Sequence, residues 1–105
     1  MPVFNQGVDI TRNIRVIEWL KTELVGTVAA LFKAMMKNSE EAIEDALASM
    51  VVTVYVMARR LGISFARLDV RVESKIRNAV KEKHEVEDWY GDLTAFLKYR
   101  SDKMR

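Results

Sequence analysis

The chain has no cysteine, one proline, one histidine and four glycines in 105 residues. Without cysteine there is neither a disulfide framework nor thiolate chemistry, a usage that suits a reducing cytoplasm. With proline confined to position 2 and glycine scarce, little interrupts a helix, and no stretch sustains the alternation of a strand. The longest nearly unbroken apolar run, Ala46 to Ala58, falls short of the roughly 20 residues a bilayer requires, so no membrane association is expected. The opening MPVFNQGVDITRN lacks a basic start followed by an apolar core, which argues against a signal peptide. There is no Ser/His/Asp set and no glycine-rich phosphate loop; His84, inside KEKHEVED, reads as part of a solvated junction.

Half of the residues are hydrophobic and 30% are charged, a balance that favours one folded domain over disorder. Seventeen basic and fifteen acidic residues leave a net charge of +2. The pI of about 9.0 therefore comes from a near-cancelling difference. Both signs are interspersed along the chain, and no nucleic-acid partner is expected from that distribution.

Ile10, Ile14, Ile17, Leu24, Val28, Leu31 and Met35 recur at helical spacing, widened by Leu20 and Phe32, and predict a first helix over 10–36 with Asp9 as N-cap. KNSEE breaks it, with Asn38 and Glu41 resembling a capping box and Ser39 a competing cap. A second helix over 40–61 should stop at Gly62, which suits a left-handed C-cap. Ser64 can cap a third over 65–82, with Phe65, Leu68, Val72 and Ile76 on one face and Arg67, Arg71 and Lys75 on the other. Val86, Trp89, Leu93, Phe96 and Leu97 predict a fourth over 86–99, with Gly91 a weakness inside it and the polar tail KYRSDKMR fraying. The fold class is thus an all-α four-helix bundle. The short connection makes the first two helices antiparallel neighbours. Helix two carries more apolar surface than one neighbour can cover, so the chain is expected to pair with itself through that helix, as a dimer or dimer of dimers.

Glu41, Asp45, Ser49 and Thr53 share one face of helix two, and Glu23 and Thr27 form a matching stripe on helix one. Facing carboxylates on two helices can hold magnesium or manganese beside a phosphate chain. The same stripe also serves as helix-capping acids and small hydroxyls that let helices approach. Trp19, next to Ile17 and Leu20, reads as core, although an indole can stack on a base. Trp89 and Tyr90 read as packing of the fourth helix, and Arg59 and Arg60 as solvated charges.

Three segments, WLKTELVGTVAALFKAM, EEAIEDALASMVVTVYVMARRLGIS and KIRNAVK, resemble the MazG-like proteins, helical relatives of the all-α nucleoside triphosphate pyrophosphohydrolases and dimeric dUTPases. The family's first segment usually carries E-E-x-G-E and its second E-L-x-D-V-L, closing on leucine and glycine as Leu61 and Gly62 do here. Its third offers a basic residue, asparagine and another basic residue, matched by Arg77, Asn78 and Lys81. The resemblance implies a nucleotide as ligand, with Lys75, Arg77, Asn78 and Lys81 toward its phosphates. Anchored on Gly26, and then on Leu61 and Gly62, the metal-binding acids of the family fall at Leu24, Thr27, Ala46 and Ser49. None of the four is acidic. Glu23, Glu41, Glu44 and Asp45 are the nearby acids from which a relocated set could be drawn. The implied function is a MazG-like module with weak or lost catalysis and a nucleotide-binding or regulatory role. The alternatives are an active metal-dependent pyrophosphohydrolase using the relocated acids, and a purely structural or protein-binding module. No cofactor is expected unless catalysis persists, in which case it is magnesium or manganese.

Overall fold

The computed structural model describes residues 6–82 and 85–103, and among them the chain is all-helical. Five helices follow in order: α1 Gln6–Met36, α2 Glu40–Arg60, α3 Phe65–Lys81, α4 Glu85–Tyr90 and α5 Asp92–Lys103. No helix among the described residues is long and apolar enough to cross a membrane. His84 lies outside the described residues.

The chain divides into two compact units, one ending at Phe65 and one starting at Ala66. The first is an antiparallel hairpin of α1 and α2. At its turn, Ser39 N–H donates to the Ala34 carbonyl at 3.2 Å and Asn38 N–H to that of Met35 at 3.1 Å. Those two bonds, with Asn38 at φ 54°, form a Schellman ending for α1. Asn38 therefore closes the first helix and does not open the second. Ser39 is the N-cap of α2, its Oγ accepting from Ala42 N–H at 3.3 Å. The same ending recurs after α2: Ile63 N–H reaches Ala58 O at 2.8 Å, Gly62 N–H reaches Arg59 O at 3.1 Å, and Gly62 takes φ 90°. At the other boundary α1 begins a turn earlier than the sequence predicts, so Asp9 sits within the first turn, where its charge complements the helix dipole, and is not the cap.

The hairpin seam is narrow and built of small residues. Leu20, Thr27 and Ala34 of α1 and Ala46 and Thr53 of α2 are buried at heptad spacing, Leu20 to 3% exposure. At the open end Asn13 Nδ2 donates to the Arg60 carbonyl at 3.0 Å, and Arg60 Nη1 donates back to Asn13 Oδ1 at 3.4 Å. Equal rise from that pair sets Leu20 level with Thr53 and Thr27 level with Ala46. The predicted apolar face of α1 is wider than this seam: Ile10, Ile14, Phe32 and Met35 remain exposed in the single chain, as do Leu47, Val51 and Val54 of α2. Trp19 is 61% exposed and is not core.

In the second unit, Ile76 is the buried residue of α3, with Leu68 and Val72 half-buried on the same face. Arg100 of α5 donates from Nη2 to the Asp69 carbonyl at 3.1 Å and lies 3.7 Å from the Asp69 carboxylate. The predicted fourth helix is in fact two. Gly91, at φ 67°, ends α4 and its carbonyl accepts from Ala95 N–H at 3.1 Å, so it also starts α5. Glu87 reaches across this break, its carboxylate accepting from Thr94 N–H at 3.0 Å and from the Thr94 hydroxyl. The hydroxyl, then the Thr94 and Leu93 backbone N–H groups, hold the Glu87 carboxyl below its ordinary range. The segment expected to fray is helical to Lys103. Trp89, assigned to packing, is 68% exposed.

Candidate functional site

The stripe singled out in the sequence lies on the hairpin. Its hydroxyl members turn back onto their own helices: Thr27 Oγ1 donates to the Leu24 carbonyl at 2.7 Å and Thr53 Oγ1 to the Ser49 carbonyl at 2.8 Å. Both threonines are buried, so each hydroxyl needs such a partner, and the i−3 or i−4 carbonyl supplies it without widening the seam. Thr27 and Ala46 meet at one level, and their small side chains let the two helices approach.

The four aligned positions therefore differ in environment. Thr27 and Ala46 are buried in the seam, Leu24 is half-buried beside it, and Ser49 is exposed on its edge. Leucine and alanine offer no ligand atom, and the Thr27 hydroxyl proton is committed to a backbone carbonyl. A set of two apolar groups and two neutral hydroxyls does not fit magnesium, which takes oxygen donors in near-octahedral array, usually with carboxylates among them.

Glu23, Glu41, Glu44 and Asp45 are all exposed. Glu23 is level with Met50, five residues from Asp45, which separates the two acids by about 7.5 Å along the axis. Glu41 stands one turn further toward the turn on the Asp45 face, whereas Glu44 lies about 100° round the helix from Asp45. Among the described residues no three His, Cys, Asp or Glu side chains gather into a group that could hold a metal ion.

Lys75, Arg77, Asn78 and Lys81 are exposed on α3, in the second unit. Arg77 Nε is 3.7 Å from a Glu73 carboxylate oxygen one turn earlier, a solvent-screened pair. Arg59 and Arg60 have structural contacts: Arg59 lies over the Phe65 ring at 5.3 Å, and Arg60 bonds Asn13. The Asn13–Arg60 latch and the Glu87 cap were not foreseen from the sequence. A polar Asn13 on the apolar side of α1 was the available signal for the first; the second depends on where the chain bends at Gly91.

A closely packed helical hairpin with a polar stripe at its seam, followed by a helix with a basic exposed face, places the chain in the all-α class. Within that class the chain belongs to the MazG-like family, whose model matches residues 10–93. This membership relates it to the nucleotide pyrophosphohydrolases. No curated protein and no solved structure gave a significant match.

Proposed function

We propose that the protein is a MazG-like module in which pyrophosphohydrolase catalysis is weak or lost, acting in the cytoplasm as a nucleotide-binding or regulatory homo-oligomer. The observation that carries this reading is the chemistry at Leu24, Thr27, Ala46 and Ser49, where two apolar groups, the seam-packed Thr27 hydroxyl and the exposed Ser49 hydroxyl stand in place of carboxylates. Facing acids in such a site supply several negative charges to offset a divalent cation; these four supply none. The exposed apolar residues Leu47, Val51 and Val54 support assembly through α2, because a face of this kind is normally covered by another copy in so small a chain.

The expected outcome is little or no pyrophosphate release from standard nucleoside triphosphates with magnesium or manganese, and calorimetric binding of a nucleotide that does not require the metal. Robust metal-dependent turnover that disappears in Glu23→Gln or Asp45→Asn would instead establish the relocated acids as a working site. If turnover is absent, restoring acids together at Leu24, Thr27, Ala46 and Ser49 should create metal binding. Oligomerisation is tested separately. Val51→Glu, at an exposed position, should turn a dimer or tetramer into a species of about monomer mass by light scattering, through the desolvation of an unpaired charge. A wild-type monomer at micromolar concentration would remove the oligomeric part of the reading.

A further inference from the structure

Along the chain, the charges of α3 alternate in sign from Arg67 to Lys75 and are then all positive; around the helix, the two signs separate. Its two acids, Asp69 and Glu73, sit one turn apart on one flank, and each has a cation beside it: Arg100 from α5 for Asp69, and Arg77 for Glu73. The side turned away from buried Ile76 carries Arg67, Arg71 and Lys81, with Ser74 and Asn78 between them, and Lys75 flanks it about 100° from Ile76; all six are exposed. Neither carboxylate of α3 falls on that strip; the acid that bounds it is Glu82, just past the helix, where its N–H still reaches the Asn78 carbonyl at 2.9 Å. Like charges one turn apart cost a helix roughly 0.2–0.5 kcal/mol per pair, and Arg67, Arg71 and Lys75 form two such pairs in succession.

We propose that this outer face of α3 docks on the phosphodiester backbone of a nucleic acid, without reading its sequence. The strip from Arg67 to Lys81 is about 21 Å long, a length that spans several successive phosphates. Its cations supply the charge, and the Ser74 hydroxyl and Asn78 amide add neutral donors of the kind that bond phosphate oxygens. An anionic membrane fits less well. A surface helix inserts an apolar face, whereas here Leu68 and Val72 are half-buried and Ile76 is buried. The proposal goes beyond a nucleotide ligand, because Arg67, Arg71 and Ser74 lie outside the family's phosphate-directed stretch. It departs from the expectation drawn from charges interspersed along the chain, a pattern that does not register separation around a helix.

The test is fluorescence anisotropy of labelled oligonucleotides, single-stranded and duplex, with the full chain at low ionic strength. Wild type should bind, and the slope of log affinity against log salt should be about −3 to −4. The double variant Arg71→Gln/Lys75→Gln should weaken binding about tenfold or more and flatten that slope by about 2. Arg12→Gln/Arg15→Gln, which removes the same charge from α1, should leave both unchanged. Circular dichroism of each variant establishes that it is folded. Absence of binding at low salt, or equal loss in the α1 variant, overturns the proposal. So does tighter binding to a polyglutamate peptide or to phosphatidylserine vesicles than to either oligonucleotide. Calorimetry with mononucleotides reads the nucleotide-binding proposal separately, since it is scored on wild type and not on the salt slope.

Discussion

The α1–α2 hairpin and the α4–α5 pair each join two helices through a very short connection, yet different forces hold them. In the hairpin the connection is a Schellman ending followed by the Ser39 cap, and beyond it runs a seam in which Leu20, Thr27, Ala34, Ala46 and Thr53 are buried. In the α4–α5 pair neither helix buries a single residue, and the junction relies on one glycine and one carboxylate. Burial of a seam adds up along its length, whereas a cap acts only on the turn it serves. The hairpin is accordingly the part of the molecule able to set a precise geometry, and the phosphate chemistry of the family would need that precision.

Removing packing should expose this contrast most strongly. Leu20→Ala takes a large side chain out of a seam lined by smaller ones, which leaves a void the neighbours cannot fill. The expected loss is about 3 kcal/mol. Phe96→Ala in α5 removes a larger side chain, but from a ring that is already 43% exposed, and should cost roughly half as much or less. Urea titration of the two variants measures both. A larger effect at Phe96 would mean that the C-terminal pair, and not the hairpin, holds the main core.

Helix identity was legible wherever apolar residues repeat with helical period and a capping residue marks the end. The boundaries at Met36, Glu40 and Phe65, and the left-handed Gly62, are of this kind. Two faults of the sequence reading share a cause. A periodic apolar face shows which residues avoid water but not how many neighbours exist to cover them. Ile10 and Ile14, on the apolar face that predicts α1, and Trp19, which reads as core, stand exposed in the chain. Gly91 was read as a defect inside one helix, because its role depends on φ and on Glu87 reaching Thr94 across the bend. At the candidate site the sequence alone shows that Leu24 and Ala46 offer no ligand atom, while the Thr27 hydroxyl's bond to Leu24 requires coordinates.

The two left-handed positions sharpen the comparison between turns. Gly62 at φ 90° has nothing within 4 Å of where a Cβ would stand, so Gly62→Ala carries a backbone penalty without a steric one. A loss of about 1 kcal/mol is expected. Asn38, at φ 54°, already tolerates that region through its short polar side chain. Asn38→Gly should change stability by less than about 0.5 kcal/mol, since relief of strain is offset by the greater freedom of the unfolded chain. Thermal melts that reverse this order would show that the turn at Asn38 is the more strained of the two.

The smallest expected effect lies at the other junction and depends on pH. Glu87 must be ionised to accept both the hydroxyl and the N–H of Thr94, and those bonds hold its folded titration below the ordinary value of 4.5. Its stabilisation of the α4–α5 junction is therefore complete above that ordinary value. It is lost as pH falls through the lower folded value, where the protonated carboxyl gives up its charge-assisted bonds. Because the carboxylate is exposed to solvent, the change should be confined to the first turn of α5 and leave the hairpin intact. Glu87→Gln keeps the shape and an acceptor oxygen but removes the titrating charge, so it should begin with a weaker cap and show no such transition. Amide exchange at Thr94 and Ala95, followed from about pH 5 downward and corrected for intrinsic rates, separates the two variants. Protection that falls in parallel in wild type and Glu87→Gln would assign the acid sensitivity to another carboxyl and leave Gly91 alone as the device that ends α4.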